Sequence, residues 1–394
     1  MINIMMHQYS NNWLSKFKEV INKRKKLLIY RYRQAITNSN ARLITFLNKK
    51  YINFSSNDYL GLANHPKVIS SYQNEVKISG TSTSSSGHII GYSIKHKILE
   101  KKLANLLDYP NAILFNSGFD ANQAIISTII GKNDCVITDR LIHASIISAI
   151  TQSSGTLKRF SHNNMISLNK ILKTTNKYTN KLIITEGVFS MDGDQAPLQK
   201  IMMYAKTNNS WVMIDDAHGF GILGKNGKGS TYLKNCKPEI LVITFSKAIG
   251  VSGAAILCKY KILADYLIQC ARQLIYSTSL SIAQINAIDT AITIMQEGNY
   301  LRRRLRRNIK RFKHGVKKLK LKLIPSNTAI QSIIFNNNMH VLNLVKKARN
   351  YGIWLNAIRP PTVPTSSPRV RITLTAIHRK HDIDNLLKLL SLYQ

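Results

Sequence analysis

Short apolar runs rich in β-branched residues alternate with helix-spaced segments through the middle of this chain, and few folds accommodate that order. Residues Ala112 to Thr128, AILFNSGFDANQAIIST, read as a strand, a Gly turn and a helix. Cys135 to Thr138 read as a strand and His143 to Thr151 as a helix; Leu182 to Thr185 and Leu198 to Asn208 repeat the pair. Two further apolar strands end near Asp215 and Thr244. Helical crossovers lay successive strands parallel, so the expectation is an α/β fold with a mostly parallel sheet covered on both faces. Ligands of such sheets bind outside the carboxyl ends of the strands. The residues at those ends are therefore the ones to read for chemistry.

One strand end reads VMIDDAHGFGILG, Val212 to Gly224. It places Asp215, Asp216 and His218 before turns at Gly219, Gly221 and Gly224. A carboxylate there can hold a pyridinium nitrogen protonated, and an imidazole can bond a ring hydroxyl; a helix cap and a structural histidine are the bland alternative. The next reads LVITFSKAIGVSGAA, Leu241 to Ala255, with Lys247 alone among small residues. A crowded ammonium loses hydration, its pKa falls, and the neutral amine becomes a carbonyl nucleophile. The alternative is a strand-end lysine reaching solvent. Strand, acid, histidine, second strand and lysine together form the pattern of a pyridoxal-phosphate enzyme, which needs a Schiff-base lysine and an acid for the ring nitrogen.

Other strand ends supply candidates. The turn Ser117-Gly118-Phe119 offers backbone N–H groups at a helix N-terminus, a phosphate cup, although Asp120 would repel a phosphate. His143, in DRLIHASI, could stack on a planar ring. EGVFSMDGDQAPL carries Ser190 and Asp192. Arg369 and Arg371 alternate on a late strand and suit carboxylate capture, unless they are solvated arginines of an edge strand. The loop Gly80 to Gly91, GTSTSSSGHIIG, reads either as a linker or as an ordered loop beside a ligand.

Of 394 residues, 56 are Lys or Arg and 19 are Asp or Glu, a formal net charge of +37. The excess runs along the whole chain and concentrates in no tail, which favours compositional drift over a polyanion-binding surface. Its densest part, Asn299 to Leu323, keeps apolar residues at helical spacing and reads as a packed amphipathic helix; no nucleic-acid partner is expected. No apolar run approaches a membrane span, and the N-terminus lacks the features of a signal peptide. Cys135, Cys236, Cys258 and Cys270 lack metal or redox spacing and fit a reduced, cytoplasmic setting. No metal site is expected. Trp13 to Arg33 read as a basic amphipathic helix, and Ala41 to Phe54 as a hairpin around Asn48–Lys50. Residues 1–55 form an N-terminal segment, 56–295 a large domain, and 296–394 a smaller C-terminal α/β domain.

The motifs NFSSNDYLGLA, SGFDANQA, DRLIHAS, TEGVFSMDGD, DDAHGFG, TFSKAIGVSGAA, IYSTS and IRPPTVP stand in an order that resembles the α-oxoamine synthase family. These are pyridoxal-phosphate enzymes of the aspartate-aminotransferase fold type (fold type I), and the resemblance runs from about Trp13 to Leu392. It implies that Lys247 forms the Schiff base, Asp215 pairs with the pyridine nitrogen, His218 with the ring hydroxyl, and His143 stacks on the ring. Gly118, Phe119, Ser190 and Thr244 would contact the cofactor. Arg371 would hold the amino-acid carboxylate, and Arg31, His143 and Thr362 would contact substrate. Ser277 or Thr278 of a partner subunit would reach the phosphate, implying a homodimer. The implied reaction condenses L-alanine with pimeloyl-CoA, or a pimeloyl-carrier protein, with loss of CO2 and release of thiol. A sibling of glycine C-acetyltransferase or 5-aminolevulinate synthase type is the alternative. The chain departs from the family in Ser246 before the lysine, in the serine-rich Gly80–Gly91 loop, and in Thr365 to Pro368.

Overall fold

A computed structural model describes residues 2–393, with side chains from residue 12. Its centre is a seven-stranded sheet. The strands lie in the order Asn111–Phe115, Ala254–Cys258, Ile240–Thr244, Trp211–Asp215, Asn180–Glu186, Asp134–Asp139 and Thr156–Phe160. All neighbours are parallel except Ala254–Cys258, which runs antiparallel to both of its partners. This is the mostly parallel sheet the alternation calls for. Two of its strands escape a periodicity reading. Thr156–Phe160 is short and carries Lys158 and Arg159, both exposed, while Ala254–Cys258 follows a glycine-rich stretch with no turn signature of its own.

The strands are apolar on both faces because helices cover both. Ile113, Val136, Ile184 and Met213 point into one core with the helices Gly118–Ile129 and Ala144–Gln152. Leu114, Ile137, Ile183 and Ile214 point into the other, which continues into the C-terminal region. Burial of this apolar surface is the main stabilising term, on the order of 25 cal/mol per Å².

A second sheet is antiparallel, in the order Lys322–Leu323, Ile330–Ile334, Arg369–Thr373, Ala357–Ile358. A third joins the two ends of the chain: the hairpin Leu43–Phe46 and Lys49–Asn53 takes Ile353–Trp354 as a parallel neighbour. The hairpin turns on Leu47 and Asn48, both at positive φ, slightly before the Asn48–Lys50 centre expected from sequence.

The N-terminal helix ends at Lys26, short of Arg33. Leu28 adopts a left-handed φ of 56°, which stops the helix where continuous basic charge had suggested more of it. Trp13, Leu14, Phe17, Val20 and Ile21 are exposed on this helix. The basic helix is Asn299–Lys317, and its apolar stripe is buried as expected. Arg302 on that helix is also buried: it donates to the Met295 carbonyl at 2.5 Å and to Asn299 Oδ1 at 2.6 Å, closing the end of the helix Ile282–Glu297. The Gly80–Gly91 loop is pinned rather than linker-like. Ser279 N–H donates to the Ser85 carbonyl at 3.0 Å, and Thr83 Oγ1 to the Ser279 carbonyl at 3.1 Å.

Candidate active site

Four neighbouring parallel strands end at Thr244, Asp215, Glu186 and Asp139, all buried. The two adjacent aspartates separate cleanly. Asp216 is turned into the structure, where its Oδ2 accepts from Ser230 N–H at 2.8 Å and its Oδ1 from the Ser230 hydroxyl. Burial pushes its carboxyl up to about 7. Asp215 is held on the other face of the sheet: Oδ2 accepts from Asn122 Nδ2 at 2.8 Å and Oδ1 from Ala217 N–H at 3.0 Å. An alternating side-chain direction explains the split, since consecutive residues leaving a strand face opposite ways.

Lys247 sits in the turn after the strand Ile240–Thr244, half-buried. Burial lowers the pKa of its amine; the charge of Asp215 opposes that, Arg371 reinforces it, and Glu186 opposes it again. The result is an amine that gives up its proton more readily than a surface lysine, with an acid for company.

His218 is buried against Tyr59, whose hydroxyl lies 2.6 Å from Nδ1. Burial, then the cations Lys247 and Arg371, hold the imidazole well below its ordinary pKa, so it is neutral. Burial pushes the Tyr59 phenol up to about 12, so it keeps its proton. The Tyr59 hydroxyl also lies 3.3 Å from Asn57 Oδ1; when it donates to Nδ1 instead, the neutral imidazole carries its own proton on Nε2.

The helix Gly118–Ile129 starts at the end of strand Asn111–Phe115. Its cap, Ser117, accepts from Asp120 N–H at 3.1 Å and donates to Asp120 Oδ2 at 2.8 Å. The Asp120 carboxylate is thus folded back on its own cap, and the first-turn N–H groups of Gly118 and Phe119 stay unspent. A Cβ on Gly118 would come within 3.5 Å of Thr244 Cβ, so that turn and Thr244 are neighbours. Thr244 Oγ1 donates to the Gly253 carbonyl at 3.1 Å.

His143 caps the helix Ala144–Gln152 and is exposed. Its Nδ1 accepts from Ser145 N–H at 3.3 Å and lies 2.8 Å from Ser145 Oγ. Ser145 Oγ in turn accepts from Asn122 Nδ2 at 3.0 Å. A chain of polar contacts therefore runs from His143 through Ser145 and Asn122 to Asp215.

Arg369 and Arg371 are buried on an interior strand, which rules out the solvated edge-strand reading. Arg369 pairs with Asp192. Arg371 donates from Nε to the Ser190 carbonyl at 2.6 Å and from both terminal nitrogens to Asn57 Oδ1 at 3.1 Å. The loop carrying Ser190 and Asp192 is thereby clamped to the second sheet. Arg31 and Thr362 meet each other, the guanidinium donating to Thr362 Oγ1 at 2.6 Å. Among the described residues no hydrogen bond links that pair to Lys247 or Asp215.

Tyr59, Asn57, Asn122, Ser145 and Glu186 belong to this site and had no role assigned from sequence. Asn122 had a signal: it lies four residues after Gly118, on the same face of the helix. Asn57 and Tyr59 come from an irregular turn-rich segment, where no periodicity points anywhere.

Known proteins match most of this chain. The family model described as aminotransferase class I and II matches residues 49–390. An 8-amino-7-oxononanoate synthase of Sodalis glossinidius (strain morsitans) is 46% identical over 382 residues, covering 97% of this chain and 98% of that one. Serine palmitoyltransferase of S. paucimobilis, solved with PLP and myriocin, superposes with a TM-score of 0.91 at 28% identity, covering 96% of this chain and 97% of that one. An 8-amino-7-oxononanoate synthase of Francisella tularensis superposes with a TM-score of 0.77 at 31% identity, covering 87% and 97%.

Proposed function

The chain belongs to the class I and II aminotransferase family, and from that premise we propose how its site works. It is a pyridoxal-phosphate enzyme and an acyltransferase of the 8-amino-7-oxononanoate synthase type, as its relative at 46% identity is named. The reaction is decarboxylative condensation in biotin biosynthesis, and its proposed substrates are L-alanine and a pimeloyl thioester. One observation carries the assignment of roles: the poorly hydrated amine of Lys247 shares a buried strand-end site with the doubly hydrogen-bonded carboxylate of Asp215.

The residues suit the cofactor in each part. Lys247 supplies the amine for covalent attachment, Asp215 the anion for the ring nitrogen, and His218 Nε2–H the donor for the ring oxygen. Gly118 and Phe119 offer unspent N–H groups to the phosphate, with Thr244 beside them, and exposed His143 is free to lie on the ring. Ser190 completes the shell. When bound, pyridoxal phosphate supplies an electron sink for the carbanion and for the decarboxylation. Arg371, with Asn57, holds the amino-acid carboxylate. Lys247 Nζ, as a free amine, would take the Cα proton and later return one. Arg31, steadied by Thr362, suits the far carboxylate of a dicarboxylic acyl chain, which a palmitoyl chain lacks.

A homodimer is part of the reading, with Ser277 or Thr278 of the partner subunit completing the phosphate site. Ile89, Ile90, Ile94, Phe119 and Tyr276 are exposed, and each lies within two positions along the chain of a residue lining a cavity of about 240 Å³ that Ser277 and Thr278 also line. That much uncovered apolar surface supports a subunit contact. Among the described residues no helix is long and apolar enough to cross a membrane.

The likeness to serine palmitoyltransferase supplies the second reading, a sibling with another amino acid or acyl group. Purified holoprotein given L-alanine, glycine or L-serine with pimeloyl-, acetyl-, succinyl- or palmitoyl-CoA separates them. Release of CO2 and thiol from alanine with pimeloyl-CoA supports the proposed substrates; turnover confined to another pair overturns them.

A further inference from the structure

Glu186 ends its strand opposite Asp215 in the parallel register, so both carboxyls leave the sheet on one side. Both are buried. The Asp215 oxygens each accept a hydrogen bond, from Asn122 and from the Ala217 backbone. Glu186 is served less well. Its Oε2 accepts from Ser190 N–H at 3.1 Å, while buried Oε1 has no partner among the described residues. The charges that act on it are those of Asp215 and Asp139, at the ends of the neighbouring strands, and of Lys247.

We propose that Glu186 is a positioning residue that holds a proton in the working enzyme, leaving Asp215 as the anion that would pair with the cofactor's ring nitrogen, and tying the Ser190 loop to its strand end. Two buried carboxyls in register cannot both ionise cheaply. The proton goes to the one whose anion is less well solvated by the protein, and that is Glu186. Burial, and then the negative charge of Asp215, push its carboxyl well above the ordinary range, in the same direction. The inference rests on the proposed role of Asp215 but not on which amino acid or acyl group reacts.

Infrared difference spectra of wild-type holoenzyme against Glu186→Gln test it at pH 7. The expected difference is loss of a carboxylic-acid C=O band; loss of a carboxylate band instead overturns the proposal. Cofactor affinity gives the second readout. Glu186→Gln, which mimics the neutral acid, keeps the wild-type Kd within about twofold, whereas Glu186→Ala loses about tenfold through the missing loop contact. Equal losses in both variants contradict the neutral form. If Glu186→Gln does not fold, carboxyl-carbon NMR of the wild type decides: a glutamate signal still at its acid position at pH 7 is expected, and its absence is contrary. None of the three readouts needs turnover, so a wrong substrate assignment leaves the test intact.

Discussion

Asn122 Nδ2 stands 2.8 Å from Asp215 Oδ2 and 3.0 Å from Ser145 Oγ, so one amide nitrogen couples the buried carboxylate to the hydroxyl under His143. Removing it leaves Asp215 with a single donor, the Ala217 N–H. A hydrogen bond to a charged buried group is worth about 1.5–3 kcal/mol. Asn122→Ala is therefore expected to bind cofactor but to lower kcat by about 10- to 150-fold. Steady-state kinetics with a cofactor titration check this. An unchanged kcat would mean that Asp215 needs no support from the helix.

Arg371 fastens Asn57 and the Ser190 carbonyl with different nitrogens of one planar group. A lysine has a point charge and no fork. Arg371→Lys is expected to raise the KM for the amino acid by about 10- to 100-fold, with cofactor affinity nearly unchanged, because the charge-assisted pair it loses contributes about 1.5–3 kcal/mol. A change confined to kcat would place Arg371 in another role.

His162 lies between two acids, Nδ1 2.9 Å from Asp139 Oδ1 and Nε2 2.8 Å from Asp194 Oδ2. Burial alone would lower its pKa; the hydrogen bonds and charges of Asp139 and Asp194 override that and push it up to about 10. The sign follows from linkage. The folded protein holds this proton more tightly than the unfolded chain, so the stabilisation is complete below about pH 6.5 and is lost as pH rises through about 10. Relative to His162→Gln, the wild type is expected to be more stable by about 2 kcal/mol at pH 6, a gap that closes above pH 10. Denaturant midpoints across that range check it; a gap that widens with pH would contradict the pairing.

Asp215, His218 and Lys247 were legible in the sequence because they stand at strand ends, where apolar runs give way to chemistry. What supports them was not. Tyr59 and Asn57 reach the site from a segment some 160 to 310 residues from their partners, a contact only the assembled fold creates. Glu186 was given no role, since its meaning lies in the register that sets it beside Asp215. The sheet was legible as mostly parallel, yet its antiparallel strand Ala254–Cys258 was not, because small residues after Gly253 carry no strand period. Arg302 was not singled out within the basic stretch and is buried as a cap, since composition cannot tell which basic residue of a helix turns inward.

The central claim is that one lysine, set apart by burial beside Asp215, carries the cofactor. A chain with 56 Lys and Arg residues offers many amines that could condense with an aldehyde, which makes the question sharp. Borohydride reduction of the holoprotein, followed by peptide mass mapping, answers it. The account predicts one pyridoxyl adduct per chain, on the peptide containing Lys247. An adduct spread over other lysines, with Lys247 unmodified, would contradict it.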